Sequence, residues 1–93
     1  MNTYELTIIF KFPDEDFKNG KELVEEQLKK NNAVTEKEED LGIKVLAYPI
    51  KKEDKGHYLY KEIQTEPDTI INLEKAFRLM PPIMKFLFIK KED

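Results

Sequence analysis

Apolar and polar positions alternate along Tyr4–Phe12, where Leu6, Ile8 and Phe10 interleave with Glu5, Thr7 and Lys11. A period of two predicts a strand with one buried face. Ile9 interrupts the polar series, so the second face is expected to be partly dry. Pro13 ends the strand. From Asp14 to Asn32 the spacing becomes helical, with Phe17, Leu23, Val24 and Leu28 recurring. Two starts compete: a cap at Asp14 or Asp16, or a capping box from Asn19 to Glu22. The earlier start places Gly20 inside the helix, at about 1 kcal/mol relative to alanine. Lys29 and Lys30 suit the negative end of the helix, and Asn31 or Asn32 can supply a left-handed terminating residue.

Ala33–Ile50 reads as a strand in two parts. Glu36–Asp40, followed by Leu41-Gly42, is expected to project into solvent, with Gly42 marking a bulge or bend. Leu41–Ile50 is the longest apolar run in the middle of the chain, and Ile43–Ile50 is expected to be its buried part. There Leu46, Tyr48 and Ile50 would fix the register, so Tyr48→Ala is expected to cost stability or assembly. Pro49 has no ladder donor and should lie where the strand leaves the sheet or pairs on one side only. The charged, Gly-ended stretch Lys51–Gly56 reads as a turn, which makes a hairpin with His57–Thr65. In that next strand Tyr58 and Tyr60 share one face, Leu59 and Ile63 the other. Pro67 suits a first helical position, and Ile70, Leu73 and Phe77 form an apolar stripe through Arg78. Pro81-Pro82 stops that helix. Ile83–Lys90 is the last strand, with Met84, Phe86 and Phe88 on one face and Leu87 and Ile89 on the other. Lys90–Asp93 is a short charged tail.

The order strand, helix, strand, strand, helix, strand is that of the ferredoxin-like split βαβ fold. The expected class is α+β: a four-stranded antiparallel sheet with two helices on one face. Residues 1–93 are expected to form one domain, a length that allows a complete but modest core. Because helices cover only one face, Ile9, Tyr58, Tyr60, Leu87 and Ile89 are expected to share the other. A contiguous apolar patch there would be a partner surface.

Composition narrows the chemistry. No apolar stretch approaches the roughly 20 residues a membrane-spanning helix needs, and no signal peptide is visible at Met1–Tyr4. The chain has no cysteine, which excludes thiol chemistry and fits a reducing cytoplasm. It also has no serine, which removes the serine nucleophiles. The three glycines are isolated, so there is no phosphate-cradling loop. A transition-metal site would have to be assembled from Glu53 and Asp54 around the single histidine, His57. Asp14, Asp16 and Glu25 match a calcium loop poorly, since Lys18 stands at a ligand position. No metal, cofactor or catalysis is therefore expected. Acylphosphatases share the element order but need a loop arginine after the first strand, and the only arginine here is Arg78. The net charge of −3 argues mildly against a general polyanion binder, while leaving room for a local basic patch. Lys55–Tyr60 matches the aromatic RNP1 pattern of RNA-recognition motifs only weakly.

Several segments together resemble protein six of the bacterial small ribosomal subunit. They are Tyr4-Glu5, Leu41-Gly42 running into Leu46-Ala47-Tyr48-Pro49-Ile50, then Lys52, Gly56-His57-Tyr58 and Phe86–Lys90. The similarity spans essentially the whole chain in element order and loop length. It implies a non-catalytic, cytoplasmic component of the ribosome. Such a component binds small-subunit (16S) ribosomal RNA in the central domain together with ribosomal protein eighteen. Partners expected from it exclude DNA and membranes, and the isolated chain is expected to be a monomer. The resemblance makes Lys44, Lys52, Lys85, Lys90 and Lys91 the candidate RNA contacts, with Arg78 and His57. Family members commonly carry arginine near the amino terminus and before the Leu-Ala-Tyr-Pro segment; here Asn2, Thr3, Lys44 and Val45 stand there. Lysine keeps the charge without the forked geometry of arginine. The competing expectation is a ferredoxin-like module that binds a small molecule or regulates, and dimerises through its sheet.

Overall fold

A computed structural model describes residues 1–50 and 53–91, with the side chains of 49 and 50 outside that description. Six elements follow in the expected order: β1 (Asn2–Lys11), α1 (Asp14–Lys30), β2 (Val34–Ile50), β3 (Glu53–Thr65), α2 (Pro67–Arg78) and β4 (Ile83–Lys90). The four strands form one antiparallel sheet in the order β2-β3-β1-β4, so β1 and β3 are central. This is the ferredoxin-like arrangement, and both helices pack on the same face.

The period-two readings of β1 and β3 are met side chain by side chain. Tyr4, Leu6, Ile8 and Phe10 from β1 and Leu59 and Ile63 from β3 point under the helices and are buried. Val24 and Leu28 from α1 and Leu73 and Phe77 from α2 close that layer. Phe77 stands edge-on to Phe86, with ring centroids 5.5 Å apart, which anchors α2 over the edge strand β4. Leu23 lies outside the stripe at 38% exposure.

The earlier helix start is the one adopted. Pro13 occupies the N-cap, so neither Asp14 nor Asp16 caps by side chain; with Glu15 they form an acidic first turn instead. Gly20 is therefore inside α1, and it is buried because the helix presses there on the ring of Phe10. At the far end Asn32 takes the left-handed conformation, φ 58°. The second helix starts on Pro67 and ends at Arg78, as its sequence predicts.

The acidic part of β2 is solvent-exposed as its sequence predicts, but the apolar part is exposed too, against expectation. The acidic stretch lies within the sheet: Lys37–Asp40 pair with Glu62–Leu59. The apolar stretch projects. β1 ends opposite Gly56, so beyond the Lys44↔Gly56 pair β2 and β3 continue as a two-stranded ribbon with no third strand beside them. Ile43, Val45 and Tyr48 are accordingly 46%, 74% and 84% exposed, and of the described residues in that stretch only Leu46 is buried. The turn is also shorter than Lys51–Gly56, because β3 already begins at Glu53. Gly42 does mark a bulge: the register slips between Asp40 and Gly42, and its φ of +80° is one that glycine adopts freely.

Tyr48 thus has no packing to lose. Tyr48→Ala is expected to leave the unfolding free energy unchanged within about 0.5 kcal/mol, the range for surface substitutions. A calorimetric shift larger than that would restore the buried-register reading.

Alternation in β4 breaks at Met84. Ile83 sits opposite Phe10 and Lys85 opposite Ile9, which leaves Met84 as an extra residue between two paired positions. The bulge turns Met84 away from Phe86 and Phe88 and packs it with Ile9 and Leu46 on the open face.

Candidate nucleic-acid and partner interface

The face without helices carries the side chains of alternate strand positions, and the register arranges them in rows. One row runs Gly42, Tyr58, Ile9, Lys85; the next runs Glu39, Tyr60, Thr7, Leu87; the third runs Lys37, Glu62, Glu5, Ile89. Ile9, Tyr58, Tyr60, Leu87 and Ile89 therefore do lie on one face. They are not equivalent. Ile9 is buried with Leu46 and Met84, and Tyr58 covers them. Leu87 and Ile89 remain 53% and 49% exposed on the free edge. Tyr60 sits in a polar centre, its hydroxyl 3.1 Å from Glu5 Oε1 and 3.0 Å from Glu62 Oε2. Burial and these two carboxylates push the Tyr60 phenol well above its usual range.

The candidate cations separate by position. Lys44 lies across the Tyr58 ring, its Nζ 5.5 Å from the centroid, a distance at which a cation is drawn to an aromatic face. Lys85 is opposite Ile9 in the register, and it shares with Thr7, Ile9, Phe86 and Leu87 a shallow cavity of about 220 Å³. Arg78 and Lys85 also line one groove of about 340 Å³ along the β4 edge, although Arg78 is within 3.4 Å of Glu74. Lys90 pairs with Tyr4, whose side chain belongs to the helix-covered core, so its register position is on the other face from Lys85. Lys91 binds Glu62 at 2.9 Å; that contact holds the Glu62 carboxyl below its usual range and raises the Lys91 ammonium. Lys52 lies outside the described residues.

His57 faces away from the open-face lysines. It occupies the helix-covered side of β3, 8% exposed, with its ring stacked on Phe17 at 3.5 Å between centroids. Its Nε2 is 2.6 Å from Asp40 Oδ1, and its Nδ1 has no partner. Burial disfavours the Asp40 carboxylate, but hydrogen bonds from His57 and from the Gly42 N–H outweigh it and hold that carboxyl below its usual range. The aromatic neighbour and the acid, both distant in sequence, are what a reading of His57 alone could not supply.

Two residues escape a sequence reading of this site. Lys11 ends β1 in the same open-face phase as Ile9, and its partner across the strands is Gly56, which also pairs with Lys44. Lys11 and Lys44 thus bracket one backbone position. Lys61 is the second. It lies in the inward phase between Leu59 and Ile63, fully buried, and its ammonium bonds Glu25 of α1 and, at 2.6 Å, Glu38 of β2. Glu38 is its direct cross-strand partner. The inward phase is the signal the sequence offers.

Among the described residues no group of three or more histidine or carboxylate side chains is placed to hold a metal ion, and no helix is long and apolar enough to cross a membrane. The family model of ribosomal protein S6 matches residues 3–90. The chain belongs to the ribosomal protein S6 family.

Its relatives agree. The small ribosomal subunit protein bS6 of Treponema pallidum is 36% identical over 93 residues, with both chains covered completely. That of Helicobacter acinonychis is 35% identical over 95 residues, covering all of this chain and 67% of its own. The crystal structure of 30S ribosomal protein S6 from Thermotoga maritima superposes with a TM-score of 0.88 at 25% identity, covering 97% of this chain and 87% of that one. The C-terminal domain of MgtC from Mycobacterium tuberculosis, at 11% identity and TM-score 0.66, shares the fold alone. As a member of the S6 family the chain is a structural, non-enzymatic protein of the small ribosomal subunit, at work in the cytoplasm on the ribosome. The family match displaces the small-molecule-binding or regulatory module as the reading of this fold.

Proposed function

We propose that this chain, a single domain and a monomer before assembly, binds small-subunit ribosomal RNA in the central domain together with ribosomal protein eighteen, both through the open face of its sheet. The observation that carries the reading is the cluster at the hairpin end of that face. Lys11 and Lys44 flank Gly56, and Lys85 lies one row away beside Ile9 and Tyr58. Three cations over an aromatic and apolar floor suit a phosphate backbone in a chain whose total charge is negative, because phosphates respond to the local field. Arg78 extends the same edge along β4. The protein partner takes the remaining exposed apolar surface, Leu87 and Ile89.

The test is RNA binding as a function of salt. The triple variant K11A/K44A/K85A, with protein eighteen present, is expected to bind a central-domain RNA fragment at least about tenfold more weakly. The slope of log affinity against log salt should flatten by about 0.7–0.9 for each phosphate that is no longer neutralised. A variant at Lys30, at the end of α1, serves as the control. If the triple variant keeps both the affinity and the slope of the unaltered chain, the cationic end of the face does not hold RNA.

A further inference from the structure

The open face is divided into halves of opposite chemistry. Beyond the row of Ile9 and Tyr58 the acids outnumber the lysines: the strand positions carry Glu39, Glu62 and Glu5 against one lysine, Lys37. Leu87 and Ile89 stand half-exposed on β4, which has no strand on its outer side. Beside them, Glu5 and Glu62 are cross-strand neighbours, and Glu39 lies opposite Tyr60 on β2. The centre of this half is short of protons. The Tyr60 hydroxyl lies about equally close to Glu5 and Glu62, yet it has one proton and can donate it to only one of them. The other oxygen pair is left facing each other without a hydrogen. Glu62 has Lys91 to compensate it. Glu5 forms no ion pair among the described residues. A phosphate backbone is repelled by this arrangement, whereas a cationic donor flanked by apolar groups is complementary to it.

We infer that this half of the sheet docks a segment of the partner protein that carries an arginine or lysine between apolar side chains. The cation enters beside Glu5 and Tyr60, and the apolar neighbours cover Leu87 and Ile89. The inference rests on the reading that the open face holds the protein partner. It goes beyond it by naming the chemistry of the segment and by separating the protein half of the face from the RNA half. An arginine fits best, because its fork supplies two donors at once, one to the Glu5 carboxylate and one to the phenol oxygen. Tyr60 then donates its own proton to Glu62, and every polar group in the centre is satisfied.

The probe is purified ribosomal protein eighteen of the same cell, titrated calorimetrically against the full chain and its variants at two salt concentrations. E5Q/E62Q keeps side-chain shape and removes the charges. It is expected to weaken binding at least about tenfold and to reduce its salt dependence, while K44A/K85A binds this protein as the unaltered chain does. If E5Q/E62Q is not folded by circular dichroism, E5Q alone carries the test, since Glu5 has no ion pair to lose. Equal or tighter binding by the acidic-site variant overturns the inference and leaves the broader reading intact. Equal losses from the acidic-site and lysine variants overturn the division of the face. If the unaltered chain itself does not bind protein eighteen, the underlying reading fails and the inference falls with it.

Discussion

Replacing the two acids that face Lys61, in E25Q/E38Q, is expected to destabilise the fold by about 3 kcal/mol, the low end for stripping the partners from a buried charge. The Lys61 side chain retains 1% exposure, whereas Glu25 and Glu38 retain 37% and 34%. The burden of desolvation therefore falls on the lysine. With both acids neutral its ammonium keeps two amide oxygens but no opposing charge. For a protein of this length, whose total stability is on the order of 5–14 kcal/mol, such a loss is large. Lys61→Met is expected to cost much less or nothing, since it fills the same space beside Leu59 and Ile63 and releases two acids that water can reach. Combining K61M with E25Q/E38Q should restore most of what the acid variant loses. Urea unfolding of the four proteins gives the cycle directly. If K61M costs as much as E25Q/E38Q, the lysine is a net contributor and not a desolvated liability.

The same triad sets a pH dependence. The hydrogen bond from Lys61 holds the Glu38 carboxyl below its ordinary value, burial opposes this, and Lys21, 3.2 Å away, adds to the lowering. A carboxyl whose folded pKa is depressed adds stability that is complete above its unfolded pKa and is lost as pH falls through the folded one. Glu38 thus contributes fully above about pH 5 and progressively less in more acid solution. In K61M this part of the acid sensitivity should shrink, leaving only what Lys21 supplies at the surface.

How much of this is legible in the sequence differs between elements for identifiable reasons. The element order, Pro67 at the start of α2 and the core positions of β1 and β3 follow from periodicity and local chemistry, which one chain segment carries by itself. The apolar part of β2 is exposed against expectation because burial depends on a neighbour that the segment does not encode. Whether Val45 and Tyr48 are covered is decided by where β1 stops, opposite Gly56. Met84 changes face because of a bulge whose cause is a register slip between two strands. In the sequence the candidate lysines are equivalent surface charges, and only the pairing register assigns Lys44 and Lys85 to one face and Lys90 to the other. Lys61 is hidden differently: its inward phase is visible, but a lysine between Leu59 and Ile63 is easily taken for an exposed one.

Gly20→Ala gives the test in which sequence and structure disagree in sign. By helix propensity alone the change should stabilise α1 by about 1 kcal/mol. In the fold, a Cβ at residue 20 would lie 2.5 Å from Phe10 Cδ1, 2.6 Å from Cε1 and 3.0 Å from Pro82 Cβ. None of these can retreat cheaply. Phe10 is fully buried, and its ring meets Phe17 edge-on at 5.3 Å between centroids. Pro82 is rigid, and its carbonyl accepts a hydrogen bond from the Lys11 N–H at 2.9 Å, which ties the end of α2's following loop to β1. Relief would require α1 to lift from the sheet, and that would also loosen Phe17 from His57. Overpacking of this kind costs about 1–3 kcal/mol, and the absence of a flexible neighbour puts this site at the upper end, so the net loss is expected to be about 2 kcal/mol. Phe10→Leu in the same chain should recover part of it, since the smaller side chain withdraws the atoms that collide. Equilibrium denaturation of the single and double variants decides the matter: a stabilised G20A would mean that α1 is not pressed against Phe10, and the close helix-to-sheet contact that orders this end of the core would have to be abandoned.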